Sequence, residues 1–332
     1  SLPGSSPYGT HQDGARRVCK RATDSAIQSS HFSMSTPSHT PIRWRALFHL
    51  GVVYVVWSST YLAIRVAVRP GAGFPPYAMA ASRSLLACPL LLVWARARGL
   101  RIRPTRRELA VLATSGLLLW TFGNALVVVA EQRVSSGLAA LLIATTPLCV
   151  ALLEAVVDRH LPALTVAASL LVGFLGTALV GYPAIGNGVQ ADVVAVVLLI
   201  VAAMNWAAGS LLQRRRPLAL DARVSAAYQM LFGGLGVAAL SLGLREPLPR
   251  PTASAWLGFA FLLVFGSLIS FTSFLKALQL LPTRVVFTYS YVNPVLAAFL
   301  GWVVLGERLT GPILPGAALI LLGVAGVFYG ER

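Results

Sequence analysis

From residue 44 onward the chain alternates long apolar runs with short polar or proline-bearing gaps. Each run is about 20 residues long, enough to cross a bilayer core of roughly 30 Å as a helix. The pattern predicts ten spans, at about 47–67, 77–95, 109–131, 136–157, 162–181, 192–212, 222–243, 253–277, 283–305 and 311–329. Pro75-Pro76, Pro104, Pro162, Gly186-Asn187-Gly188, Pro217 and Pro247 fall between spans or at their edges, where turn-forming residues belong. The fold class this implies is an all-α integral membrane protein with ten transmembrane helices. An outer-membrane barrel would show alternating strands of about 10 residues instead.

Residues 1–41 break the pattern. They are rich in Ser, Thr, Pro, His and Arg and carry no apolar periodicity, so residues 1–44 read as a disordered cytoplasmic tail. Without an apolar h-region the tail is not a signal peptide. Met34 opens "MSTPSHTPIRWRALFHL", which has the look of a natural start. The expectation is that residues 1–33 are an extension without function.

Composition agrees with the spans. The chain is 56% hydrophobic and only 11% charged, with a mean hydropathy of +0.73. A soluble domain of 332 residues carries far more surface charge. The formal net charge of +16 comes mostly from arginines lying between spans, a topogenic pattern rather than a nucleic-acid patch. With the N-terminus inside, the inner side collects Arg43, Arg45, Arg96, Arg98, Arg101, Arg103, Arg106, Arg107, Arg159, Arg214, Arg215, Arg216, Arg223, Arg284 and Arg332. The outer side receives only Arg69, Arg133, Arg245, Arg250 and Arg308, so both termini are expected in the cytoplasm. Cys19, Cys88 and Cys149 suggest neither a disulfide framework nor a metal site.

The chain also repeats itself. One offset carries Ala130-Glu131-Gln132 onto Ala277-Leu278-Gln279 and Pro147 onto Pro294. "LVGFLG" (Leu171–Gly176) then falls on "LLGVAG" (Leu321–Gly326), and "WSSTYL" near "WAAGSL" (Trp206–Leu211). The Gly-x-x-Gly spacing permits close helix approach in lipid. Five spans per half is an odd number, so the second half enters the membrane in the opposite sense. The expected domains are a first five-helix repeat at 45–182, a linker at 183–191 and a second, inverted repeat at 192–330. Secondary transporters are commonly built this way, with substrate held near the midplane between the halves.

"WSSTYLAIRVAV", "GNALVVVAEQRVSSGLAALLIATTPL" and "SYVNPVLAAFLGWVVLGERLT" resemble the EamA-type drug/metabolite transporters, and among them the YedA-like bacterial inner-membrane members. The resemblance covers residues 45–330. It implies ten helices, cytoplasmic termini and export of amino acids, metabolites or drugs, without fixing a substrate. In the first half the counterpart of the "LGER" end lies near "VVDRHL", where aspartate replaces the glutamate of Glu307.

The candidate site residues are polar or aromatic groups deep in apolar runs. Trp57, Thr60 and Tyr61 lie in the first span; Trp57 is either core or cavity wall. Asn124 and Asn205, like Gln229, are amides that serve as ligand groups or as glue between helices. Tyr289, Tyr291 and Asn293 crowd within one and a half turns, and 289 and 293 share a face. Arg83 lies two turns into the second span. It either takes a substrate carboxylate or snorkels to the surface. Pro147 and Pro294 are candidate hinges, because each leaves the carbonyl four residues earlier without its helical partner. Glu131 is the candidate for proton coupling. No carboxylate falls at the midplane, which argues against a strongly cationic drug.

The function read from these residues is a secondary-active transporter exporting small polar or zwitterionic, amino-acid-like metabolites. A sugar-phosphate or nucleotide-sugar exchanger ranks lower, since such anions want several buried cations. A membrane-embedded enzyme ranks lower still, since no Ser/His or paired-Asp set lies within the spans. No cofactor or metal is implied. The expected partners are a small-molecule substrate, the lipid bilayer and protons as coupling ion, without nucleic acid. Internal duplication lets the chain act as a monomer or a weak homodimer.

Overall fold

The computed structural model describes residues 44–134, 136–186, 192–305 and 313–330, together with Ser1 and Gly4. The expected tail up to residue 43, the linker residues 187–191 and residues 306–308 of the "LGER" end lie outside the described residues. Among the described residues the chain is all-helical, with no strand.

Helix α1 (Trp44–Val68) is followed by α2 (Pro76–Ala97) and α3 (Arg106–Ala130). A broken pair comes next, α4 (Ser136–Ile143) and α5 (Thr146–Asp158), and then α6 (Leu164–Gly186). The second half begins with α7 (Val193–Arg215), α8 (Ala222–Gly243) and α9 (Ala253–Leu280). It ends with a second broken pair, α10 (Thr283–Phe287) and α11 (Tyr289–Leu305), and with α12 (Ile313–Gly330). Among the described residues, seven segments are long and apolar enough to cross a membrane: α1, α2, α3, Ala139–Asp158, α7, α8 and α9. Shorter apolar helices at Leu164–Val180 and Leu314–Gly330 occupy the fifth and tenth expected spans. The α10–α11 pair occupies the ninth.

Local chemistry sets the helix starts. Pro76 opens α2, where a missing N–H costs nothing. Thr105 and Glu108 form a reciprocal capping box at α3. The side chains of Asp192 and Asp221 accept from the first backbone N–H groups of α7 and α8, and Thr252 does the same for α9.

Burial is arranged as lipid requires. Val55, Leu62, Leu90, Val93 and Val197 are exposed on the bundle surface, while Arg83, Gln229 and Asn293 are buried inside. The Gly-x-x-Gly segments do what their spacing suggests. A Cβ on Gly323 would stand 2.5 Å from the Gly173 nitrogen, and one on Gly176 would stand 2.7 Å from the Gly316 carbonyl. Helices α6 and α12 therefore meet backbone to backbone, which only glycine permits.

Two segments wind more loosely than an α-helix, with π-type hydrogen bonding: Leu117–Asn124 within α3 and Leu262–Phe271 within α9. The offset that carries Pro147 onto Pro294 carries the first onto residues 264–271, inside the second. Such segments cost regular hydrogen bonding and concentrate at functional sites.

The two prolines behave differently. Pro147 sits at a real break, in the first turn of α5. The Ile143 carbonyl that it leaves without an N–H accepts the Thr146 hydroxyl instead. Pro294 lies inside α11 and does not interrupt it; the break is six residues earlier, at Thr288.

Candidate functional site

The π-type turn of α3 directs Trp120, Gly123 and Asn124 into a cavity of about 90 Å³. Trp57, Thr60 and Tyr61 of α1, Arg83 of α2 and Thr146 of α5 share its wall. Trp206 of α7, Gly266 in the π-type turn of α9, and Tyr289 and Asn293 of α11 complete it, so both halves contribute. The lining extends to Ile64 and Val127, toward the end of the bundle where α1 finishes.

Arg83 is 3% exposed. One of its terminal nitrogens donates to Asn124 Oδ1, and its guanidinium carbon lies 5.3 Å from the Trp120 ring centroid. Among the described residues no carboxylate pairs with it. Its Nε has no hydrogen-bond partner, nor has the buried indole nitrogen of Trp120, and that of Trp206 has the Tyr289 hydroxyl beside it but outside good hydrogen-bond geometry.

Aromatic rings form the opposite wall and floor. The Trp57 ring lies 4.8 Å from Tyr289, 5.1 Å from Phe274 and 5.6 Å from Trp206, centroid to centroid. Asn293, 2% exposed, accepts from the Ser58 hydroxyl at 3.1 Å. Nearer the start of α1, the Tyr54 and Thr288 hydroxyls bond at 2.6 Å, and Phe274 and Phe287 are fully buried. At that end of the bundle Glu154 accepts from Arg284 at 2.8 Å, and Asp158 pairs with Arg215. The chain is sealed there by rings, hydroxyls and ion pairs in succession.

Of the residues expected from the sequence, Trp57, Thr60, Tyr61, Arg83, Asn124, Tyr289 and Asn293 share this cavity. Asn205 and Tyr291 lie elsewhere. Asn205 donates back to the Val201 carbonyl of its own helix, and Tyr291 donates to the Leu170 carbonyl. Glu131 follows α3 outside the lining. It is 8% exposed, with neither carboxyl oxygen partnered, and Arg65 is near enough to act on it electrostatically. Trp120 and Trp206 were not marked as site residues by the sequence. Trp120 had one visible signal, its place in an apolar run four residues before Asn124.

A helical bundle with apolar flanks and a largely apolar internal cavity bearing one charge fits a multi-pass membrane protein. The EamA-like transporter family model matches the chain twice, over residues 41–182 and 193–329, and the chain belongs to that family. It is 33% identical over 290 residues to the Escherichia coli K12 protein described as "Uncharacterized inner membrane transporter YedA", covering 84% of this chain and 90% of that one. It is 25% identical over 307 residues to the "S-adenosylmethionine/S-adenosylhomocysteine transporter" of Chlamydia trachomatis, covering 86% and 90% of the two chains. A solved crystal structure shares the fold at a TM-score of 0.70 and 24% identity, covering 86% of this chain and 98% of that one.

Proposed function

We propose that this protein is a secondary-active exporter of small polar or zwitterionic, amino-acid-like metabolites in a bacterial inner membrane. The observation that carries the reading is the cavity: helices of both halves build it, and it buries a charge with no counter-ion among the described residues. The twofold family match and the two π-type turns at one offset support an inverted pair of five-helix repeats. Alternating access then consists of one half rocking against the other around the cavity. In the orientation the arginines favour, with both termini cytoplasmic, the sealed end faces the cytoplasm. Pro147 and Thr288, at the two helix breaks, are the natural hinges. Pro294 fits that role less well, lying in an unbroken helix.

Glu131 fits the role of proton carrier, as an ionisable side chain buried without a partner at the edge of a span. The relative from Chlamydia trachomatis carries amino-acid-derived substrates by its name. That agrees with a site of amides, hydroxyls, rings and one arginine. The test is a metabolite-export and toxic-analogue resistance screen in expressing cells, followed by flux in proteoliposomes with and without a pH gradient. Substrate-specific flux above empty liposomes is expected. Liposomes that stay tight to every compound the cells exclude would sink the reading.

A further inference from the structure

We infer that the cavity grips its substrate by a carboxylate, held in a cradle of three buried N–H donors from Arg83, Trp120 and Trp206. The inference rests on the transport reading and gives its site a chemical class: amino acids or their derivatives with a free carboxylate.

The donors are observed. Arg83 Nε and Trp120 Nε1 are buried and unpartnered, Trp206 Nε1 is buried with the Tyr289 hydroxyl beside it but outside good hydrogen-bond geometry, and all three residues line the same cavity. The two indoles stand together, with ring centroids 6.3 Å apart. Buried donors are rarely left unmatched in folded proteins, because each forfeits its hydrogen bond to water. Three in one small cavity call for an occupant that only accepts. A carboxylate is acceptor-only, with two oxygens that together take about four hydrogen bonds.

Charge points the same way. The groups that hold Arg83 are neutral: the Asn124 amide oxygen fixes one terminal nitrogen, and the Trp120 ring lies under the guanidinium. They position the cation and leave its charge uncompensated, so one negative charge on the substrate completes the site. A phosphate monoester carries nearly two charges at neutral pH. Arg83 is the single cation among the described lining residues, which favours the carboxylate over the phosphate. Trp57 and Tyr289 line the same cavity and supply aromatic surface for the rest of the substrate.

The experiment uses the purified full-length protein and thermal unfolding, which rises with ligand binding. The probes are L-amino acids, each matched with its methyl ester, which masks the carboxylate, and its N-acetyl form, which masks the ammonium. At least one amino acid is expected to raise the unfolding temperature while its ester does not. Arg83→Gln should erase the preference for acid over ester. Trp120→Phe and Trp206→Phe keep a ring and remove the N–H. Each should weaken acid binding about tenfold, the value of one hydrogen bond to a charged group, and narrow the acid-to-ester ratio. Ligand-free unfolding of each variant checks that it is folded, and the two Trp variants test the cradle without touching the charge.

An ester that binds as well as its acid, acid preference unchanged in both Trp variants, or no stabilisation by any amino acid would each overturn the cradle. Export of an uncharged metabolite alongside that result would leave the transporter standing. Absence of flux for every compound would instead strike the transport reading itself.

Discussion

The hydroxyls of Tyr54 and Thr288 bond at 2.6 Å at the point where α10 gives way to α11. One turn further along α1, Ser58 donates to Asn293. Helix α1 is thus pinned to the broken helix at two levels, both on the sealed side of the cavity's aromatic floor or at its edge. For the cavity to open there, these contacts must part.

Tyr54→Phe removes the upper member of that pair and keeps the ring. Interhelical hydrogen bonds in membranes average about 0.6 kcal/mol, so an expected change in flux of about threefold follows. Proteoliposome rates check it. A rate equal to wild type would mean that the clasp does not contribute to the transport cycle.

Asn293→Ala and Tyr289→Phe alter two cavity groups with little change to the bundle. In Asn293→Ala, Ser58 keeps its bond to the Tyr54 carbonyl, while the buried Tyr61 hydroxyl loses its partner in Asn293. Transport is expected to fall about tenfold in Asn293→Ala, from the loss of a buried amide, and less in Tyr289→Phe. Membrane insertion should match wild type by fractionation. Unchanged flux in both would remove this wall from the binding site.

Glu131→Gln tests proton coupling. Flux down a substrate gradient should persist, but acceleration by an imposed pH gradient should disappear. Retained acceleration assigns the proton to another group.

The seam of α6 and α12 gives a stability test. Gly323→Leu drives a side chain into the Gly173 backbone. Overpacking of this kind costs about 1–3 kcal/mol, and more when the obstacle is backbone. A markedly lower unfolding temperature in detergent is expected. Gly51→Leu, where an added Cβ meets nothing within 4 Å, is the matched control.

At the sealed end, Glu154→Arg and Arg284→Glu should each slow or uncouple transport, and the double reversal should recover much of the loss. The pair is only partly exposed, so its charges are weakly screened. Additive loss in the double variant would show that the pairing itself is unimportant.

Much of the bundle was legible in one dimension because lipid imposes length and apolarity on each span. Seven segments among the described residues meet that demand outright. Polar groups inside apolar runs led to Arg83, Asn124 and Asn293, which share the cavity. Sequence spacing gives a side chain's face but not its neighbour. Asn205 turns back on its own helix, and Tyr291, about 200° around the helix from Tyr289, points toward α6. Trp120 and Trp206 did not stand out, since an indole counts as apolar until its N–H is found without a partner. Pro294 is the hinge candidate in the sequence, but it lies inside a helix whose break falls at Thr288. A proline near a helix start costs less than one deep inside, and the hydroxyl clasp with Tyr54 marks the actual break.

Three of the chain's seven tryptophans stand together around the cavity, Trp57 and Trp120 each packed edge-on against Trp206. Indole emission responds to the polarity and charge beside the ring. The protein therefore carries its own optical gauge of occupancy, and a solute entering the cavity can be followed by ultraviolet fluorescence without attaching a label.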